Sequence, residues 1–120
     1  MKGLTMNITK EELQRKFNQY NNLYFEGKLG PCRFYFLSRN CGIIGKYIDP
    51  LKSNGEKESR IGINKHAISS DESLRNVLVH EMVHMYVYTI EGVKFDGLFG
   101  HGFRFRRHKR RIKRDFDFTI

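Results

Sequence analysis

The sequence predicts an α+β domain: an N-terminal helix, a three-stranded antiparallel or mixed sheet, a buried central helix and a basic C-terminal helix. Three observations carry that prediction. Leu13, Phe17, Tyr20 and Tyr24 recur at helical spacing near the start. Three short runs rich in aromatic and β-branched residues follow between positions 32 and 64. The stretch "VLVHEMVHMYVY" (Val77 to Tyr88) is then apolar at helical length except for one polar trio. At 120 residues, 39% of them hydrophobic, the chain is expected to fold as one domain, residues 1–120, around a modest core.

The first helix has a marked start. Thr9 and Glu12 fit a capping box, Ile8 and Leu13 fit the hydrophobic staple around it, and Gly27 is a natural stop. The runs "CRFYFLS" (Cys32 to Ser38), "GIIGKYI" (Gly42 to Ile48) and "SRIGIN" (Ser59 to Asn64) read as strands. Between the last two, "DPLKSNGEKES" has the Pro, Asn and Gly of a turn. A second helix is expected from about Asp71 to Glu91, with Ser69 and Glu72 as its capping box and Gly92 ending it. After the Gly-rich loop "EGVKFDGLFGHGF", a final helix carries a narrow apolar stripe of Phe105, His108, Ile112 and Phe116 for docking.

The polar trio in the second helix needs an explanation, because burying polar groups without partners is costly. His80, Glu81 and His84 form an HExxH motif. On a helical wheel His84 lies about 40° and Glu81 about 100° from His80, so the three share one face. Two imidazoles one turn apart, with a carboxylate beside them, suit a zinc ion with a general base. Catalytic zinc takes three protein ligands and an open position. The third ligand is open on spacing alone. Position 90, where a metzincin would place a histidine, is Ile90. Glu91 falls near the helix end, poorly aimed, whereas Asp96 in the loop remains a candidate. His101 is the best placed, since Gly100 and Gly102 flank it and allow close backbone approach. His66 reads as a surface residue, and His108 as packing or support.

Together, "HEMVHMYVY" and "GHGFRF" resemble the SprT-like metallopeptidases, whose signature is HExxH followed by a short His-Gly-x-x-Phe element. "FNQYNNLYFEGKL" is similar to that family's opening helix, and "RIGINKHAI" to its strand before the catalytic helix. The resemblance spans roughly residues 10 to 112. It implies a small zincin-like domain with Zn2+ held by His80, His84 and His101 and with Glu81 catalytic. Members include Spartan-type proteases that act on proteins crosslinked to DNA. This chain has Phe103 where the family often carries Pro, and no cysteine of a C-terminal zinc ribbon follows Cys41.

The expected function is therefore a zinc-dependent peptidase acting on protein or peptide substrates, DNA-associated proteins among them. Tyr47, Tyr86 and Tyr88 are oxyanion candidates by type, and "SRIGIN" is the expected strand edge for substrate addition. Net charge is +9, and residues 104–120 hold +6 of it, with eight Lys or Arg between Arg104 and Arg114. Such an end suggests an anionic partner. Arg104, Arg107, Arg111 and Arg114, recurring at helical spacing, are the expected outward face for DNA phosphates. Two alternatives stand beside this reading: a nucleic-acid-binding module with a structural zinc, and a regulatory peptidase cleaving one protein such as a repressor. No apolar run reaches the roughly 20 residues of a membrane span. The start lacks the apolar core of a signal peptide. Cys32 and Cys41 lack zinc-site spacing, so reduced thiols and a cytoplasmic location are expected.

Overall fold

The computed structural model describes residues 7–50 and 58–120. In chain order these form α1 (Lys10–Phe25), β1 (Cys32–Phe36), β2 (Gly45–Ile48), β3 (Ser59–Ile63), α2 (Asp71–Thr89) and α3 (Phe103–Phe116). The architecture is α+β, as the periodicities predict. The turn expected between β2 and β3 falls largely on residues 51–57, outside the described residues.

Helix α1 starts where its cap predicts: the Thr9 hydroxyl accepts the Glu12 backbone N–H at 3.1 Å, and Ile8 and Leu13 are both buried. Glu26 turns left-handed at φ 55°, and the Gly27 N–H closes on the Asn21 carbonyl at 2.9 Å.

The sheet is mixed, in the order β1-β3-β2. β1 runs parallel to β3 with Cys32 opposite Ser59, and β2 runs antiparallel to it with Gly45 opposite Ile63. This corrects the expectation that "SRIGIN" offers an exposed edge. The parallel crossover from β1 gives β3 a partner on each side, and Ile61 and Ile63 are fully buried. The edge available beside α2 is β2.

Helix α2 is the hub. It packs against α1, α3, β2 and β3, and Leu74, Leu78, Val79, Met82 and Val83 are fully buried. Each such side chain contributes about 1.5–3 kcal/mol by leaving water, and truncating Leu78 to Ala would cost about 2–5 kcal/mol. Its capping box sits one residue later than Ser69 and Glu72. The Ser70 hydroxyl accepts the Ser73 N–H at 3.0 Å, and the Ser73 hydroxyl accepts the Ser70 N–H at 3.1 Å. The helix stops at Thr89, two residues early, with Gly92 left-handed at φ 70° beyond it.

Helix α3 docks through Phe105, His108 and Ile112, all buried. Phe116 is 41% exposed, and the deeper anchor lies past the helix end at Phe118. The chain turns left-handed at Asp117 (φ 60°), bringing Phe118 edge-on to Tyr24 at 5.2 Å, with the Arg75 guanidinium over its ring at 3.9 Å. Among the described residues no helix is long and apolar enough to cross a membrane.

Candidate metal centre

Helix α2 presents His80 and His84 one turn apart, and the loop between α2 and α3 returns to bring His101 against both. The His101 Nε2 lies 3.1 Å from the Nε2 of His80 and 3.1 Å from that of His84. The three rings together form a group that could hold a metal ion. Gly100 makes the approach feasible: it is left-handed at φ 73°, and a Cβ there would lie 3.2 Å from the His84 ring.

Beneath the imidazoles lies Phe105. Its ring centroid is 4.8, 4.6 and 4.7 Å from those of His80, His84 and His101, and it stacks nearly flat on His84. Sequence periodicity places Phe105 in a docking stripe. The structure gives it a second role as the apolar floor of the trio, and its position four residues after His101 is the signal that carries this.

Desolvation by this apolar surround holds the His80 and His84 imidazoles neutral. Burial, with the nearby His101 and the Lys109 charge, pushes His80 down to about 4. Burial, with His80 and His101 beside it, pushes His84 down to about 3. Neutral imidazole is the form that ligates metal. Glu81 is only 7% exposed, and burial raises its carboxyl to about 7. Its room comes from β2, because a Cβ on Gly45 would sit 2.9 Å from Glu81 Oε2 and 2.9 Å from Val77 Cγ1. Trio and carboxylate open into one cleft of about 660 Å³, lined also by Gly45, Lys46 and Tyr47 of β2 and by Phe95 and Phe99.

Asp96, the alternative third ligand, is committed elsewhere. Its two carboxylate oxygens accept the backbone N–H groups of Arg104 at 3.0 Å and Phe105 at 2.8 Å. A carboxylate there satisfies orphan donors of the first turn of α3 and complements the helix dipole. Glu91 is likewise occupied, accepting from His108 Nε2 at 2.9 Å and from Arg107 at 2.8 Å. His66 is exposed and meets Arg39 at 3.2 Å, away from the trio.

Of the three tyrosines, Tyr47 and Tyr88 line the cleft, whereas Tyr86 packs on Phe25 and His108. The Tyr47 hydroxyl is 2.9 Å from the Ser59 hydroxyl. The four arginines expected to face outward do not form one free face. Arg104 and Arg107 converge on Glu91, and Arg114 pairs with Asp115. Arg111 is half-buried, its guanidinium 5.5 Å from the Phe25 ring centroid and its Nε donating to His108 Nδ1 at 3.0 Å. Wheel spacing could not reveal these neighbours. Arg106, Lys109 and Arg110 are exposed and form no ion pair among the described residues.

A small α+β domain with a three-stranded mixed sheet, a buried HExxH helix and a third histidine supplied from the following loop is zincin-like in build. The chain belongs to the SprT-like family, which it matches over residues 13–120. No curated protein shows a match to it.

Proposed function

We propose that the domain is a zinc-dependent peptidase, with His80, His84 and His101 as ligands and Glu81 as general base. The observation that carries this is the convergence of three histidine Nε2 atoms beside a buried carboxylate. A tetrahedral zinc with bonds of about 2.0–2.1 Å requires ligand nitrogens roughly 3.3 Å apart. The two separations of 3.1 Å already approach that. Zinc bound there supplies a Lewis acid that polarises the scissile carbonyl and acidifies water.

The remaining work falls to the chain. Glu81, with an affinity for protons near neutrality, takes one from the attacking water and passes it to the leaving amine. The outer edge of β2, which pairs with no further strand among the described residues, holds the substrate backbone by strand addition and aligns the peptide along the cleft. A structural site has no use for a buried base, and this favours the enzyme over a module with structural zinc.

The test is Glu81→Gln. It should bind one zinc per chain and keep its fold while cleavage falls by about 10²–10⁴-fold, the usual contribution of a general base. Equal cleavage by wild type and Glu81→Gln would refute the mechanism.

A second reading concerns DNA. The outward cations Arg106, Lys109 and Arg110 favour contact with phosphates through the exposed side of α3. Arg107 and Arg114 border that side by helical spacing, whereas Arg104 turns to Glu91 and Arg111 to Phe25 and His108. Proteins held on DNA are then substrates presented to the cleft.

A further inference from the structure

The loop that delivers His101 also carries Phe95, Leu98 and Phe99, which are 81%, 77% and 82% exposed. Large apolar side chains clustered at such exposure are uncommon on a folded surface and point to a partner. Slack in the loop does not explain them. Asp96, between Phe95 and Leu98, is fixed by its two hydrogen bonds to the start of α3, and its carbonyl accepts the Gly102 N–H at 2.6 Å. The His101 N–H closes on the Leu98 carbonyl at 3.0 Å. Phe99 itself is held left-handed at φ 56°, a conformation that a bulky residue rarely adopts and that persists where the surroundings impose it.

What covers these rings is indicated by where they sit. Phe95 and Phe99 line the same cleft as His80, Glu81 and His84, together with Gly45, Lys46 and Tyr47 of the edge strand β2. A polypeptide laid along that edge is extended, so its side chains alternate between the two sides. We propose that Phe95 and Phe99 form the side-chain recognition surface of the cleft, taking an apolar residue of an extended polypeptide close to the cleaved bond. This rests on the peptidase reading and gives it a substrate class: unfolded or flexible segments, because apolar residues of folded proteins are mostly buried.

Two readouts test it. In the first, zinc-loaded Glu81→Gln protein is titrated with fluorescent twelve-residue peptides that differ only in a central Leu or Ser. The Leu peptide should bind about tenfold or more tightly, as expected for burying one aliphatic side chain. Adding Phe95→Ser and Phe99→Ser should erase the difference. Both rings are exposed, so folding should survive, and Phe99→Gly, which relieves the left-handed backbone, provides a second variant with the same expected loss. In the second readout, wild type is given the same peptides and kcat/KM is compared. Leu-selective binding without any hydrolysis supports the surface and refutes the peptidase reading alone. Equal affinities, no peptide binding, or a preference unchanged by the substitutions overturns the proposal. So does sedimentation with phosphatidylserine vesicles that is lost with the two phenylalanines while peptide affinities are equal, which assigns the surface to a membrane.

Discussion

Gly45→Ala is the smallest change that should separate the fold from the chemistry. The added methyl would lie 2.9 Å from Glu81 Oε2, 2.9 Å from Val77 Cγ1 and 3.2 Å from Glu81 Cγ. Ordinary contacts begin near 3.4 Å, so the atoms facing the new methyl must give way by roughly half an ångström. Two of the three belong to the Glu81 side chain, which is flexible and opens onto the cleft, so the strain is expected to be relieved there. Overpacking of this kind costs about 1 kcal/mol or a little more when a side chain can yield. Misplacing a catalytic group by about 1 Å costs as much as 10²-fold in rate. Gly45→Ala should therefore melt close to wild type, keep its zinc, and lose one to two orders of magnitude in kcat/KM on a quenched fluorescent peptide. Retained zinc distinguishes this from damage to the histidines. A folded, zinc-loaded Gly45→Ala with undiminished kcat/KM would show that the Glu81 carboxylate has no need of the space beside β2.

Four further outcomes are expected. His101→Ala should lose zinc in equilibrium dialysis, and His66→Ala should not. Asp96→Ala should lower unfolding free energy by about 1–2 kcal/mol through the loss of its cap on α3, measured by urea denaturation; an unchanged midpoint would refute that role. In metal-free protein the Glu81 carboxyl is raised from 4.5 to about 7, so the folded state binds the extra proton and its stability falls as pH rises through that window. Glu81→Gln should remove up to about 3 kcal/mol of that fall. His80 and His84, depressed to about 4 and 3, act in the opposite sense, so their share of stability is present above pH 6.5 and is lost as pH drops toward those values. Finally, reversing Arg106, Lys109 and Arg110 to Glu should flatten the salt dependence of DNA binding by about 0.9 per lost phosphate contact, and an unchanged slope would exclude this face.

Much of this was legible in the residues because it depends on local periodicity. The HExxH trio announces its helix face by spacing alone, and Thr9 marks a helix start within one turn of its partner. Other features depend on neighbours far away in sequence. Nothing within "SRIGIN" distinguishes a central strand from an edge, because that depends on the crossover from β1. Asp96 has the chemistry of a ligand and of a helix cap, and the position of α3 decides between them. Arg111 lies on the polar side of a wheel, yet Phe25 and His108 come from elements that the wheel cannot contain. Ser70 displaces Ser69 as the cap because Ser73 offers a hydroxyl that reaches back, a choice between near-equal local options.

The floor under the histidines has a consequence for the order in which the molecule comes apart. Phe105 belongs to α3, a helix held by few apolar side chains and burdened with eight like charges between Arg104 and Arg114. The HExxH helix, by contrast, is anchored on every side. Local opening begins where buried apolar contacts are fewest. Amide exchange should therefore find α3 and the His101 loop opening as a unit while α2 and the sheet stay protected. Such an opening takes away the third histidine and the ring beneath all three at once. Competence at the cleft is then governed by the attachment of α3, and an anion neutralising the outer charges of that helix would strengthen the attachment without touching the cleft.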